Sequence, residues 1–184
     1  LGRSLITGRS RIIGLVVAYL DNYFYPEALE LLSSALQKKG YHVLIFMAGN
    51  TEDDIEDAVD EILDYQVDGI IAASVSMSSD LAKRCGSAGV PVVLFNRSQD
   101  DERFSAVTSD NELGGQKVAR FLLAGGHKKI GYIAGWEGAS TQRDREKGFV
   151  TELARNGQEL YAREVGNFNT DEARQAARKM FTKK

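Results

Sequence analysis

Four short, almost wholly apolar runs, each parted from the next by a segment of helical or turn character, constrain this chain more than any other feature. Residues 12–19 (IIGLVVAY), 41–48 (YHVLIFMA), 69–73 (GIIAA) and 91–95 (PVVLF) show almost no polar alternation. Such a run is what a strand covered on both faces requires. After Pro26, the residues Ala28, Leu29, Leu31, Leu32, Ala35 and Leu36 recur at helical spacing, and Ile55, Ala58, Val59, Ile62 and Leu63 do so again. Pro26 suits the first helical position, where a missing N–H costs nothing, and Gly40 suits the stop. Residues 79–86 add a short helix. Strands alternating with helices predict parallel βαβ units, with helices on both faces of a sheet.

A second stretch, residues 106–149, organises the rest. A short strand, Ala106-Val107-Thr108, runs into Ser109-Asp110-Asn111, residues that start helices. Leu113, Val118, Ala119, Leu122 and Leu123 follow at helical spacing until Gly125-Gly126 supplies a left-handed stop. Residues 129–134 (KIGYIA) read as a new buried strand that opens into a loop carrying Trp136, Arg143, Asp144 and Arg145. The chain is therefore expected to leave one α/β lobe (residues 12–126) at Gly125-Gly126 and begin a second (residues 127–184). The second lobe offers one clear strand and two helices. A small molecule would sit between the lobes.

Charge and composition narrow the chemistry. A net charge of −3 over 184 residues gives no overall reason to hold a polyanion. The one cysteine, Cys85, forbids an internal disulfide and points to a reducing compartment. No run approaches the ~20 apolar residues of a membrane helix, and no secretory core opens the chain, so a cytoplasmic location is expected. His42 and His127 lack partners at metal-ligand spacing, no glycine-rich phosphate loop follows a strand, and no nucleophile–base pair is evident. No metal, cofactor or enzymatic activity is predicted. The acidic run Glu52-Asp53-Asp54, with Glu56, Asp57, Asp60, Glu61 and Asp64, flanks an apolar stripe and reads as a solvated helix face. Residues 1–11 contain Arg3, Arg9 and Arg11 and no acid. They are either a solvated tail or a connector that touches an anion, and the local charge favours the connector.

Ligands of parallel α/β sheets bind beyond the carboxyl ends of the strands. That rule selects loops 21–25, 74–79, 96–99, 109–111, 136–145 and 166–169. The candidate contacts in them are Phe24, Tyr25, Ser74, Asn96, Arg97, Asp110, Trp136, Arg145 and Phe168. Flat aromatic faces with amides, hydroxyls, a carboxylate and arginines suit a polar, ring-shaped solute. Several have a plainer alternative. Phe24 and Tyr25 would serve equally to staple the first helix to the sheet, Asp110 to cap a helix, Trp136 and Phe168 to pack, and Arg97 to lie in solvent. Arg143 and Asp144 read as a surface pair worth roughly 0–1 kcal/mol.

The order and spacing of several motifs carry a resemblance. They are Asn22-x-Phe24-Tyr25, Asp68-Gly69-Ile70-Ile71, Pro91-Val92-Val93 leading to Asn96-Arg97, Ser109-Asp110-Asn111-x-x-Gly114, Gly126-His127-x-x-Ile130-Gly131-Tyr132-Ile133, and Arg145-x-x-Gly148-Phe149. Together they resemble the lactose-repressor/galactose-repressor family of bacterial transcription regulators across essentially the whole chain. The resemblance implies an α/β, periplasmic-binding-protein-like fold of two doubly wound parallel-sheet lobes, the second incomplete, in a chain truncated at both ends. It implies an effector-binding core that senses a small molecule, a sugar or sugar derivative, and controls operator DNA through a headpiece absent here. Arg145 falls at the family's ligand-binding arginine, Phe168 where the family often has an aromatic, and Leu5 where a hinge leucine enters DNA. Residues 1–11 would be the hinge remnant. A homodimer is expected, with the first helix and the strand after it in the interface, and Tyr41 and Phe46 there or in the core. The 184-residue piece is not expected to bind effector at full affinity. The rival readings are a periplasmic-type sugar-binding protein and a sugar-metabolising enzyme; the basic segment and the missing export signal favour the regulator.

Overall fold

A computed structural model describes residues 9–18, 24–49, 52–99 and 104–182. Leu5 and residues 21–23 of the first candidate loop lie outside the described residues. The chain forms two compact units, Leu1–Val107 and Thr108–Lys184.

The first unit runs β1 (Ile12–Val17), α1 (Phe24–Lys38), β2 (His42–Met47), α2 (Glu52–Asp64), β3 (Gly69–Ala73), α3 (Ser79–Ser87), β4 (Val92–Phe95) and β5 (Ser105–Val107). Its sheet is parallel throughout, in the order β2-β1-β3-β4-β5. The unbroken apolar run of β1 has a direct cause. Leu15 and Val17 pack with Tyr25 and Leu29 of α1, whereas Val16 points to the other face, among Val59 and Ile62 of α2 and Leu81 and Cys85 of α3. All three strand residues are fully buried. Alternation disappears because both faces are core.

Two expectations fail in this unit. β2 is an edge strand and not a buried one, so Ile45 and Met47 are half exposed. Phe46 packs against the α2–α3 core, its ring edge-on to Tyr65 at 5.8 Å. α1 begins at Phe24, so Pro26 is third in the helix. It still lies in the first turn, where backbone N–H groups need no intrahelical acceptor. At the described end of the basic segment, the Asp68 carboxylate accepts the backbone N–H groups of Ser10 (2.9 Å) and Arg11 (3.1 Å), tying the approach to β1 to the turn before β3. Asp53, Asp54, Asp57, Asp60, Glu61 and Asp64 of α2 are exposed, and Arg84 of α3 pairs with Asp60 and Glu56.

The second unit contains α4 (Asn111–Ala124), β6 (Gly131–Ala134), α5 (Ser140–Arg155), β7 (Ala162–Val165) and α6 (Thr170–Thr182), with β6 and β7 paired in parallel. Its main apolar cluster is small: Ala119, Ile130, Phe149 and Leu153 are its buried members among the described residues. The division into compact units falls between Val107 and Thr108, not at Gly125-Gly126. Gly126 does end a helix in the left-handed conformation, at φ 76°. That helix, however, packs on α5 through two glycines. A Cβ on Gly115 would strike the backbone of Arg145 and Phe149, and one on Gly148 would strike the backbone of Glu112. Only glycine permits main chain to meet main chain this closely. β7 is the strand that the sequence reading did not find. Among the described residues, no helix is long and apolar enough to cross a membrane.

Candidate functional site

In the first unit, the carboxyl ends of β3 and β4 are laced together by polar side chains. Ser74 and Asn96 both sit at φ 62°, a left-handed conformation that costs a non-glycine residue about 1–3 kcal/mol. The Tyr25 hydroxyl bonds to that of Ser74 and accepts the Asn96 Nδ2–H at 2.7 Å. Tyr25 is itself buried in the α1-side core, so its stapling role is realised. Phe24 is 47% exposed, edge-on to Tyr25 at 5.1 Å and stacked on Phe95 at 6.0 Å. The two phenylalanine rings open onto an apolar groove of about 490 Å³ along Ala28, Leu31, Leu32 and Ala35. Arg97 is buried at 6% exposure and not solvated. Gln99, absent from the sequence reading's contacts, clamps the Met77 backbone, accepting its N–H and donating to its carbonyl, both at 2.9 Å.

In the second unit, Asp110 and Arg145 line one groove of about 370 Å³ with Ser109, Asn111, Val118, Tyr132 and Phe149. Sequence placed these two residues in different lobes; the close α4–α5 crossing brings them together. Asp110 caps α4, its Oδ1 accepting the Leu113 N–H at 2.9 Å. Asn111, buried beside it, accepts Arg145 Nε–H at 2.8 Å and donates to the Ser109 carbonyl at 3.0 Å. Arg145 is thus held by Nε, and the two terminal nitrogens of its fork have no partner among the described residues. Tyr132 and Phe149, with ring centroids 5.3 Å apart, give the groove an aromatic wall, and burial pushes the Tyr132 phenol above its ordinary range. A two-pronged donor beside a carboxylate oxygen and an aromatic surface can hold hydroxyls or a carboxylate on a ring.

Trp136 and Phe168 lie on the loops after β6 and β7, at 41% and 57% exposure. Phe168 adopts φ 59° and its ring covers Gly135, where a Cβ would collide with it. Arg143 does not form the expected pair with Asp144; it donates to the Gly138 carbonyl at 3.0 Å. Sequence reasoning missed Asn111 as the holder of Arg145, and also Gln142. The signal for Gln142 was its place one helical turn before Glu146, on the face of α5 that also buries Phe149 and Leu153. Among the described residues, no group of His, Cys, Asp and Glu could hold a metal ion.

The periplasmic binding protein domain matches residues 13–184. The chain belongs to that family. Within it, the maltose regulon regulatory protein MalI of Escherichia coli K12 is 28% identical over 151 residues, which is 82% of this chain and 44% of that protein. The sucrose operon repressor of Lactococcus lactis subsp. lactis is 32% identical over 155 residues, 84% of this chain and 48% of its own. The chain spans about half the length of the curated relatives it matches. The transcriptional regulator CelR–cellobiose complex shares the fold, with a TM-score of 0.83 at 24% identity over 94% of this chain and 55% of that one. The α/β, periplasmic-binding-protein-like architecture and the resemblance to lactose-repressor-type regulators are both borne out.

Proposed function

We propose that this periplasmic binding protein domain is the effector-binding core of a bacterial, cytoplasmic transcription repressor that senses a sugar or sugar derivative. The observation that carries the reading is the groove in which Asn111 holds Arg145 by Nε beside the Asp110 carboxylate, in a chain whose relatives regulate maltose and sucrose genes. Arg145 is the principal contact and Asp110 its acceptor partner. Trp136 and Phe168 offer aromatic faces from the same unit. In the first unit, taken by itself, Phe24, Tyr25, Ser74, Asn96 and Arg97 are the proposed contacts. The effector favours one of two states of the protein. In a homodimer that uses α1 and β2, the change resets a pair of hinges, residues 1–11 with Leu5 among them, on symmetric half-sites of operator DNA.

The test uses the full-length protein and fluorescently labelled operator DNA. Saturating sugar is expected to change operator affinity about 5–150-fold, the usual range of allosteric coupling. A full-length protein that binds the sugar but no DNA would instead be a binding protein of the export type. One that turns the sugar over would be an enzyme.

A further inference from the structure

The loop between β6 and α5 is held at three points, and Trp136 sits in the middle of them. Gln142, at 3% exposure, accepts the Gly135 N–H at 2.8 Å and donates through Nε2 to Glu146 at 2.8 Å. Glu146 accepts Arg163 of β7, and the same guanidinium donates to Glu137 at 2.7 Å. Arg143 donates to the Gly138 carbonyl. Residues 135, 137 and 138 are thereby tied down around residue 136, whose own carbonyl accepts the Ala139 N–H at 3.0 Å. Gly138 leaves room for the indole, since a Cβ there would collide with it. A large aromatic that is 41% exposed would gain little from so elaborate a fastening if it only packed. A side chain that meets a ligand gains directly, because its ordering cost is met before binding.

We propose that Gln142 is a positioning residue which, with Glu146, Arg163 and Glu137, fixes the Trp136 loop so that the indole presents a preset flat face to the ring of a small solute. The inference rests on the reading of this loop as part of the effector site, and its test is independent of any effector. Trp136 is the only tryptophan in the 184 residues, so tryptophan emission of the chain reports this loop alone. In the ligand-free chain, Gln142→Ala is expected to red-shift the emission, lower its anisotropy and increase acrylamide quenching, with unchanged far-ultraviolet circular dichroism. Glu137→Gln, at the exposed end of the network, should do the same to a smaller degree and protects the test against misfolding of the buried variant. Lys83→Ala, which breaks a surface pair on α3, should change nothing. Emission, anisotropy and quenching identical to wild type in both network variants would overturn the proposal. Titration with sucrose or maltose is read separately: an unresponsive Trp136 would count against the effector reading and not against the tether.

Discussion

The two compact units reach stability by different physics. The first is a sheet with apolar side chains on both faces, and its largest fully buried residues, Leu15, Ile62, Ile70, Leu81 and Leu94, are all aliphatic. Among the described residues, the second has one small apolar cluster of four buried residues and supplements it with glycine-mediated helix contact and with ion pairs whose carboxylates are nearly buried: Glu152 with Arg120, and Glu164 with Lys179. Apolar burial is insensitive to pH and only weakly sensitive to salt, whereas paired carboxylates respond to both. The unit richer in polar order is also the one that carries Arg145, so geometry at that groove is maintained by hydrogen bonds and close packing more than by bulk burial.

The contrast can be broken from either side. The largest effect is expected from Leu15→Ala, which empties a fully buried position in β1 and should cost about 3 kcal/mol or more, measured by chemical denaturation. Its amide-exchange signature should centre on the first unit. Gly115→Ala should cost about 2 kcal/mol and loosen the second unit, because its Cβ falls on main-chain atoms that cannot step aside. The neighbouring Gly114→Ala makes the control. Nothing lies within 4 Å of its added Cβ, so it should stabilise by about 0.5–1 kcal/mol through helix propensity alone. Asp110→Ala removes the cap of α4 and should cost about 1 kcal/mol.

Acid sharpens the comparison with the smallest effect. The hydrogen bond from Arg163 holds the Glu146 carboxyl below the usual carboxylate range, and that from Arg120 does the same for Glu152. A carboxyl depressed in the folded state contributes stability that is complete above its unfolded pKa, about 4.3, and is lost as pH falls through the lower folded value. Amide protection, corrected for the intrinsic exchange rate at each pH, should therefore fall in the second unit before the first as pH drops below about 4, and Glu146→Gln should remove part of the difference. Equal acid sensitivity of the two units would contradict the contrast.

The same contrast explains which parts were legible in sequence. β1 and β3 are buried on both faces, so their composition announced them, as the stripe of α2 announced that helix. β7 hid because Ala162-Arg163-Glu164-Val165 carries two charges in four residues. Both are neutralised only by tertiary partners, Arg163 by Glu146 and Glu137 and Glu164 by Lys179. The α4–α5 contact was equally invisible, since glycines at 115 and 148 look like helix weakeners until the opposing backbone is in view. At the site, Asp110 was readable as a cap from its place before an apolar helix. The partnership of Tyr25 with Ser74 and Asn96 joins three residues scattered across 71 positions and leaves no local pattern.

The central claim is that the groove of Arg145 takes part in holding the effector. It is tested most directly by thermal shift of the full-length protein against sucrose, maltose, cellobiose and a purine base, in wild type and in Arg145→Ala. At least one sugar is expected to raise the wild-type Tm increasingly with its concentration. The rise should vanish in Arg145→Ala, whose ligand-free Tm stays close to wild type. A shift of undiminished size in Arg145→Ala would contradict the claim.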